Sequence, residues 1–297
     1  MSVKNIVSVL MPVKNEALYL GEAIQSLLNQ SYRDIEVVLV DDGSEDRTME
    51  IARSYAAEDS RVKVYRNPCP GKVRAFNMAY RKSTGDFFAF FAGDDILPID
   101  SIAARVSPLL GRGEEALSAC KLVTMSDDKR FNGVVTPRNE AKGVLSGGTI
   151  LFNKAFARNV FPVPEVLPNE DLWPSLYAEY RDIQIYHVPE IGLYYRIHGE
   201  NSHKRTDTFR EKTEFLHKRF IVYGIFLEKY RSDLSAEQQC RLASLAAAET
   251  LRYSGSTLSI LCMGNLSLAD KARFLFYSTA FLYWFRIRFF SFFSGRG

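Results

Sequence analysis

An α/β fold with a mostly parallel sheet is what this sequence predicts, from three observations. Short apolar runs alternate with segments of helical period through the N-terminal third of the chain. Each run ends in a polar turn, and three of those turns carry Pro12, Asp41-Asp42 and Asp94-Asp95. The 297 residues, 46% of them hydrophobic, suffice to bury one large domain with an appendage.

The elements follow in chain order. Ile6–Pro12 (IVSVLMP) is mostly apolar, as a strand covered on both faces requires. Leu20, Ala23, Ile24, Leu27 and Leu28 then recur at helical spacing after the Asn15-Glu16 turn. Ile35–Val40 (IEVVLV) reads as the second strand, closed by DDGSED at Asp41–Asp46. Thr48–Ala57 reads as a helix and Arg61–Arg66 as the third strand. A Pro68–Gly71 turn leads into a helix ending near Ser83, and Asp86–Ala92 (DFFAFFA) is the fourth strand. Strands and helices alternating at these intervals call for a parallel sheet with helices on both faces. In such a sheet ligands bind beyond the carboxyl ends of the strands, so the three polar turns are expected along one edge.

From about Ala116 the pattern is less regular. ALSACKLVTM and GTILFN read as strands, Asn169–Tyr180 (NEDLWPSLYAEY) as the opening of a helix, and IQIYHV and IGLYYRIHG as two further strands. Past Ser202 the chain turns helical and basic, with Leu216–Leu227 rich in apolar residues. This divides the chain into residues 1–206 and a helical, aromatic-rich region at 207–297.

Composition narrows the function. A net charge of +3 is too small to imply a nucleic-acid partner. Cys69, Cys120, Cys240 and Cys262 are widely spaced with no Cys-x-x-Cys, and read as reduced thiols. The opening MSVKNIVSVLMP lacks the apolar core of a secretory signal, so the catalytic part is expected in the cytoplasm.

The stretch VSVLMPVKNEALYLGEAIQSLLNQSYRDIEVVLVDDGSEDRT closely resembles the opening of the inverting, nucleotide-sugar-dependent glycosyltransferases of family 2. The similarity continues through GKVRAFNMAYRKSTGDFFAFFAGDDILP, NEDLWPSLY and YRIHGENS, roughly the first two thirds of the chain, in four ordered blocks. The resemblance implies a GT-A fold, with a Rossmann-like, mostly parallel sheet and here a helical C-terminal extension. It also implies a nucleotide-sugar donor, expected to be UDP-linked, and Mn2+ or Mg2+ as cofactor. The acceptor is expected to be a glycan or polyprenyl-linked oligosaccharide in surface polysaccharide synthesis.

The resemblance carries over residue by residue. Pro12 and Glu16 stand where the family cradles the nucleoside, and Asp41 and Asp42 where it accepts hydrogen bonds from base or ribose. The plainer alternative is that Asp41 caps a turn and Asp46 the next helix. Lys72 follows Gly71 at a helix start, where N–H groups and a cation attract phosphate, and it belongs to a GK…A.N block that includes Asn77. The family usually shows Asp-x-Asp where this chain has Ala92-Gly93-Asp94-Asp95. Relatives lacking the first carboxylate keep the last as metal ligand, which falls on Asp94, while loss of the first either weakens metal affinity or passes the ribose contact to Asp95 or water. His198 matches a histidine offered to the metal or diphosphate, and imidazole favours Mn2+. His187, His203 and His217 read as structural or exposed. The Glu-Asp pattern makes Asp171 the base, with Glu170 orienting sugar or acceptor; both could instead simply complement a helix N-terminus. The glycines of Ser146–Thr149 (SGGT) permit close approach of the donor sugar.

Phe274–Phe293 is aromatic-rich with Arg286 and Arg288 inside, which suits a bilayer interface and a peripheral contact with the inner membrane leaflet. The alternative is a core helix packed on the catalytic domain. Two other function classes remain in view. Ala92 motivates a nucleotide-sugar-binding scaffold that has lost catalysis. A nucleotidyltransferase would need a Gly-rich, Lys/Arg-bearing signature after the first strand, which MPVKNEALYL lacks.

Overall fold

The computed structural model describes residues 5–199 and 208–288. The chain forms two compact units, Met1–Asn201 and Ser202–Gly297. The expected boundary at 206/207, and His203, lie outside the described residues.

The first unit is an α/β layer structure. Its sheet starts with β1 (Val7–Val13), β2 (Ile35–Asp41), β3 (Val62–Arg66) and β4 (Phe87–Phe90), all mutually parallel in the order β3-β2-β1-β4. Successive strand residues point to opposite faces, and both faces are apolar here, which is why these strands read as continuous runs. On one face Val7, Val9, Met11, Val37, Leu39, Phe87 and Ala89 form a single core with α1 (Leu20–Leu28), α2 (Thr48–Glu58) and α4 (Ser101–Val106). On the other, Phe88 and Phe90 meet Tyr80 and Phe76 of α3 (Lys72–Lys82) edge-on, at centroid distances of 5.1 and 5.0 Å.

The order reverses between β1 and β4, so the loops leaving these two strands open into one crevice. Phe91 and Ala92 lie beyond β4, which is shorter than its apolar run: after Phe91 N–H bonds to Leu10 O, the chain turns away.

Beyond β4 the sheet is mixed. β7 (Ile150–Asn153) runs antiparallel to β4 and to β5 (Ala116–Ser126), and β6 (Val135–Thr136) is antiparallel to β5. α5 (Lys154–Val160) and α6 (Leu172–Tyr180) follow β7; Asn153 caps α5 by accepting the Phe156 N–H. The two strands expected at residues 183–188 and 191–199 are one strand, β8 (Gln184–Ile197), parallel to β5. The apparent break is a bulge: the register slips between Ala119 and Lys121 and again before Leu122, around Pro189, which has no N–H to give a ladder.

The second unit is helical, comprising α7 (Phe209–Phe220), α8 (Val222–Tyr230), α9 (Ala236–Tyr253), α10 (Thr257–Cys262), α11 (Leu268–Leu275) and α12 (Ala280–Arg288). Its helices bury apolar side chains such as Phe226, Leu242 and Phe274, and they also enclose an ion pair. The Arg252 guanidinium, fully buried, donates to both oxygens of buried Glu249 at 2.6 and 2.7 Å and to Tyr277 O and Thr213 O. No described helix is long and apolar enough to cross a membrane.

Candidate active site

The crevice is built by loops that hydrogen-bond to one another. Asn15, at φ +56, donates its N–H to Ser44 and accepts the Glu45 N–H through its side chain. The Glu16 N–H bonds to Thr48 Oγ1 at 2.7 Å, and Asp46 accepts N–H groups from both Ala17 and Thr48. Asp46 thus joins the loop after β1 to the start of α2. Pro12 lies buried within β1, opposite Val40.

Asp41 and Asp42 sit at the end of β2, and both are buried. Asp41 Oδ1 accepts the Ser44 N–H, while buried Oδ2 has no hydrogen-bond partner and lies 3.8 Å from exposed Arg66. That oxygen is both unsatisfied and shielded from solvent. Asp42 is already engaged: its carboxylate accepts Asn67 Nδ2 at 2.7 Å and the Gly71 N–H at 2.8 Å, which anchors the turn before α3. At φ +148 Gly71 has a backbone that suits glycine alone. Asn77 is 1% exposed and spends both ends of its amide on Val163, so its polar groups face the protein interior.

The loop after β4 carries Asp94 and Asp95, both buried. His198 Nε2 lies 2.9 Å from Asp94 Oδ2, joining residues 104 positions apart. Asp95 Oδ1 accepts the Arg196 N–H, and its carboxyl is held well above the usual aspartate range by burial and by the neighbouring Asp94 charge. Gly93 is required by space, because a methyl there would come within 2.9 Å of Glu16 Cγ. Ala92, the departure from the family motif, sits half-buried beside it.

Lys72, the first residue of α3, faces the second acidic group. Its ammonium is 3.6 Å from Glu170 Oε2. The crowded surroundings oppose its charge, but the carboxylates of Glu170, Asp171 and Asp94 outweigh this and hold its pKa above the ordinary lysine value. Glu170 is buried, whereas Asp171 precedes α6 and makes no side-chain cap to it. Gly147 lies against this pair: a methyl there would stand 2.8 Å from Glu170 Oε1. Lys72, Glu170, Asp171, Asp94 and His198 therefore share one crevice, with Asp95 and Glu16 alongside, and carboxylates outnumber cations.

Two arginines that sequence reasoning passed over support this geometry. Arg196 donates through Nε to Asp94 O and through a terminal nitrogen to Glu22, and its guanidinium lies 4.4 Å from the Tyr19 ring centre. It sits inside the quoted YRIHG, so the block itself was the available signal. Arg105 is buried and touches no carboxylate among the described residues; it donates to Ser101 O and, at 3.0 Å, to Gly148 O. Burial lowers its pKa. Beside it the Cys120 thiol, pushed up by burial, donates to Thr149 O. Both hold the turn Gly147–Thr149 from beneath, and nothing local in the sequence announces it.

Among the described residues no cluster of three or more His, Cys, Asp or Glu has metal-binding geometry. Asp94 and His198 offer one oxygen and one nitrogen in a site with surplus negative charge. That set suits a cation whose remaining ligands are diphosphate oxygens and water.

Part of this crevice lies in a stretch that is similar to a known family. Residues 8–145 match the family described as glycosyl transferase family 2. An uncharacterized glycosyltransferase of Haemophilus influenzae is 38% identical over 106 residues, 35% of this chain and 42% of the relative. The uncharacterized glycosyltransferase EpsJ of Bacillus subtilis is 27% identical over 222 residues, 68% of this chain and 63% of EpsJ. The chain thus spans less than two thirds of either curated relative. Among solved structures, S. aureus TarS 1–349 in complex with UDP-GlcNAc matches with a TM-score of 0.62 at 18% identity, over 93% of this chain and 82% of that fragment. Mannosyltransferase PcManGT from Pyrobaculum calidifontis, in complex with GDP-Man and Mn2+, matches at 0.57 and 17%, over 94% of this chain and 87% of its own. At these identities the structural matches establish the GT-A fold. Residues 8–145, just under half of the chain, match glycosyl transferase family 2 and hold Asp41, Asp42, Lys72, Asp94 and Asp95, with Glu170, Asp171 and His198 contributed from beyond them.

Proposed function

We propose that this protein transfers a sugar, with inversion, from a UDP-linked donor to a hydroxyl of a glycan or polyprenyl-linked acceptor at the cytoplasmic face of the inner membrane. One observation carries the reading: Lys72, Asp94–His198 and Glu170-Asp171 converge on the crevice where the strand order reverses. Named glycosyltransferase relatives support transfer over the binding-scaffold alternative. TarS with UDP-GlcNAc and PcManGT with GDP-Man and Mn2+ support a nucleotide-sugar donor and a divalent cation.

The residues divide the work. Asp41 Oδ2 accepts a hydrogen bond from base or ribose, with Pro12 and Glu16 shaping the nucleoside wall. Asp42 acts through the turn it holds, so that the α3 N-terminus and Lys72 face the diphosphate. Asp171 takes the proton of the acceptor hydroxyl; the oxygen attacks the anomeric carbon from the face opposite the diphosphate, whose bond to that carbon breaks. Lys72 stabilises the negative charge that builds on the departing diphosphate. Glu170 keeps Lys72 and the sugar in position. Asp94 and His198 would hold Mn2+ or Mg2+, which supplies further charge neutralisation to the diphosphate when bound.

The decisive variant is Asp171→Asn. Transfer should fall by about three orders of magnitude or more while UDP binding, followed by thermal shift with Mn2+, stays near wild type. Transfer at the wild-type rate would remove Asp171 as the base.

A further inference from the structure

The charge of this chain is concentrated at its C-terminal end. Residues 271–297 hold Lys271, Arg273, Arg286, Arg288 and Arg296 with no Asp or Glu, so the first 270 residues taken alone are net −2 in a chain of net +3. Within this stretch α12 has two unlike sides. Tyr283 is buried, its ring 5.9 Å from both Phe209 and Tyr277. Phe281, Trp284 and Ile287, recurring every third residue, are 69%, 58% and 51% exposed. Arg286 lies over the Tyr277 ring at 4.7 Å, and Arg288 is exposed at the helix end.

Such a face is costly in water unless something covers it. The nine described residues of α12 reach about 13 Å, short of the roughly 30 Å hydrocarbon core, a length that can lie along a bilayer. A two-fold contact between copies through this face would set the same cations against each other, which disfavours self-association. We propose that the outward face of α12 docks on an anionic lipid surface. Phe281, Trp284 and Ile287 enter the headgroup boundary, where tryptophan is favoured, and Arg288 meets lipid phosphates. This deepens the reading above by naming the partner of the C-terminal region, and it rests on no step of the transfer chemistry.

The test uses the full chain and reads binding without turnover. Vesicles of phosphatidylethanolamine with phosphatidylglycerol should sediment the protein, salt should release it, and pure phosphatidylcholine should bind it weakly. The chain has two tryptophans and Trp173 is fully buried, so a blue shift of emission on vesicle addition reports Trp284. Arg288→Gln should weaken binding to the anionic vesicles about fivefold. Trp284→Ser with Phe281→Ser, at exposed positions that leave the fold intact, should abolish the emission shift and reduce binding. UDP binding should be unchanged in both, which separates this idea from the donor reading. Equal binding to both vesicle types, or binding unaltered in both variants, would overturn it. So would a dimer in solution that dissociates on Trp284→Ser while vesicles capture nothing.

Discussion

A glycine shows at the residue scale how one substitution separates stability from function. At Gly147 a methyl would crowd only Glu170 Oε1, the far end of a flexible side chain, at 2.8 Å. Gly147→Ala should therefore cost less than about 1 kcal/mol of stability yet reduce transfer tenfold or more, because Glu170 must move out of the crevice. At Gly143 the same methyl would stand 1.9 Å from the backbone oxygen of Ala119, which cannot swing away. Gly143→Ala should lose about 3 kcal/mol in chemical denaturation. If both variants lost stability equally, the turn at Gly147 would be a packing feature and not part of the site.

Among elements, the parallel strands are tied by a buried carboxylate as well as by apolar packing. Glu36 of β2 accepts Ser8 of β1 at 2.5 Å, Lys63 of β3 at 2.5 Å, and the Thr84 N–H ahead of β4. Burial disfavours its charge, but Lys63, Ser8 and Thr84 outweigh this and hold its pKa below the usual glutamate value. A depressed folded pKa means that the unfolded chain binds the proton first as pH falls. The stabilisation is complete above the unfolded glutamate's pKa and is lost as pH drops through the lower folded value. Glu36→Gln should be about 2 kcal/mol less stable at neutral pH, with the deficit shrinking on acidification, as urea melts at several pH values would reveal. A deficit independent of pH would assign the effect to shape, not charge. The elements themselves were largely legible, since β1 to β4 and α1 to α3 follow local periodicity. The single strand β8 was not, because a proline and a bulge imitate a turn, and only pairing with β5 distinguishes the two.

For the molecule as a whole, the two units are held together internally in different ways. The first buries apolar layers on both faces of a sheet, whereas the second, alongside buried apolar side chains such as Phe226 and Phe274, encloses the Arg252–Glu249 pair. Arg252→Met would leave Glu249 buried beside His217 alone among its charged or titratable contacts, at 3.1 Å, and should destabilise the helical unit by about 3–5 kcal/mol. Hydrogen exchange would register this as lost protection in α7 and α9. Protection retained in both helices would show that apolar packing suffices there.

Read alone, the sequence determined which chemical groups this protein possesses and, through periodicity, the alternation of strand and helix that makes the crevice. It also marked Asp94, Asp171, Lys72 and His198 as candidates by their order in four blocks. The tertiary structure decided which groups meet. It set His198 against Asp94 and Lys72 against Glu170, committed Asp42 to Gly71 and Asn77 to Val163, and put Arg105 beneath the Gly147–Thr149 turn. Periodicity and capping act over a few residues, within reach of a local pattern. Pairings between residues far apart in the chain depend on sheet register and on how loops close over it, and no local pattern encodes those.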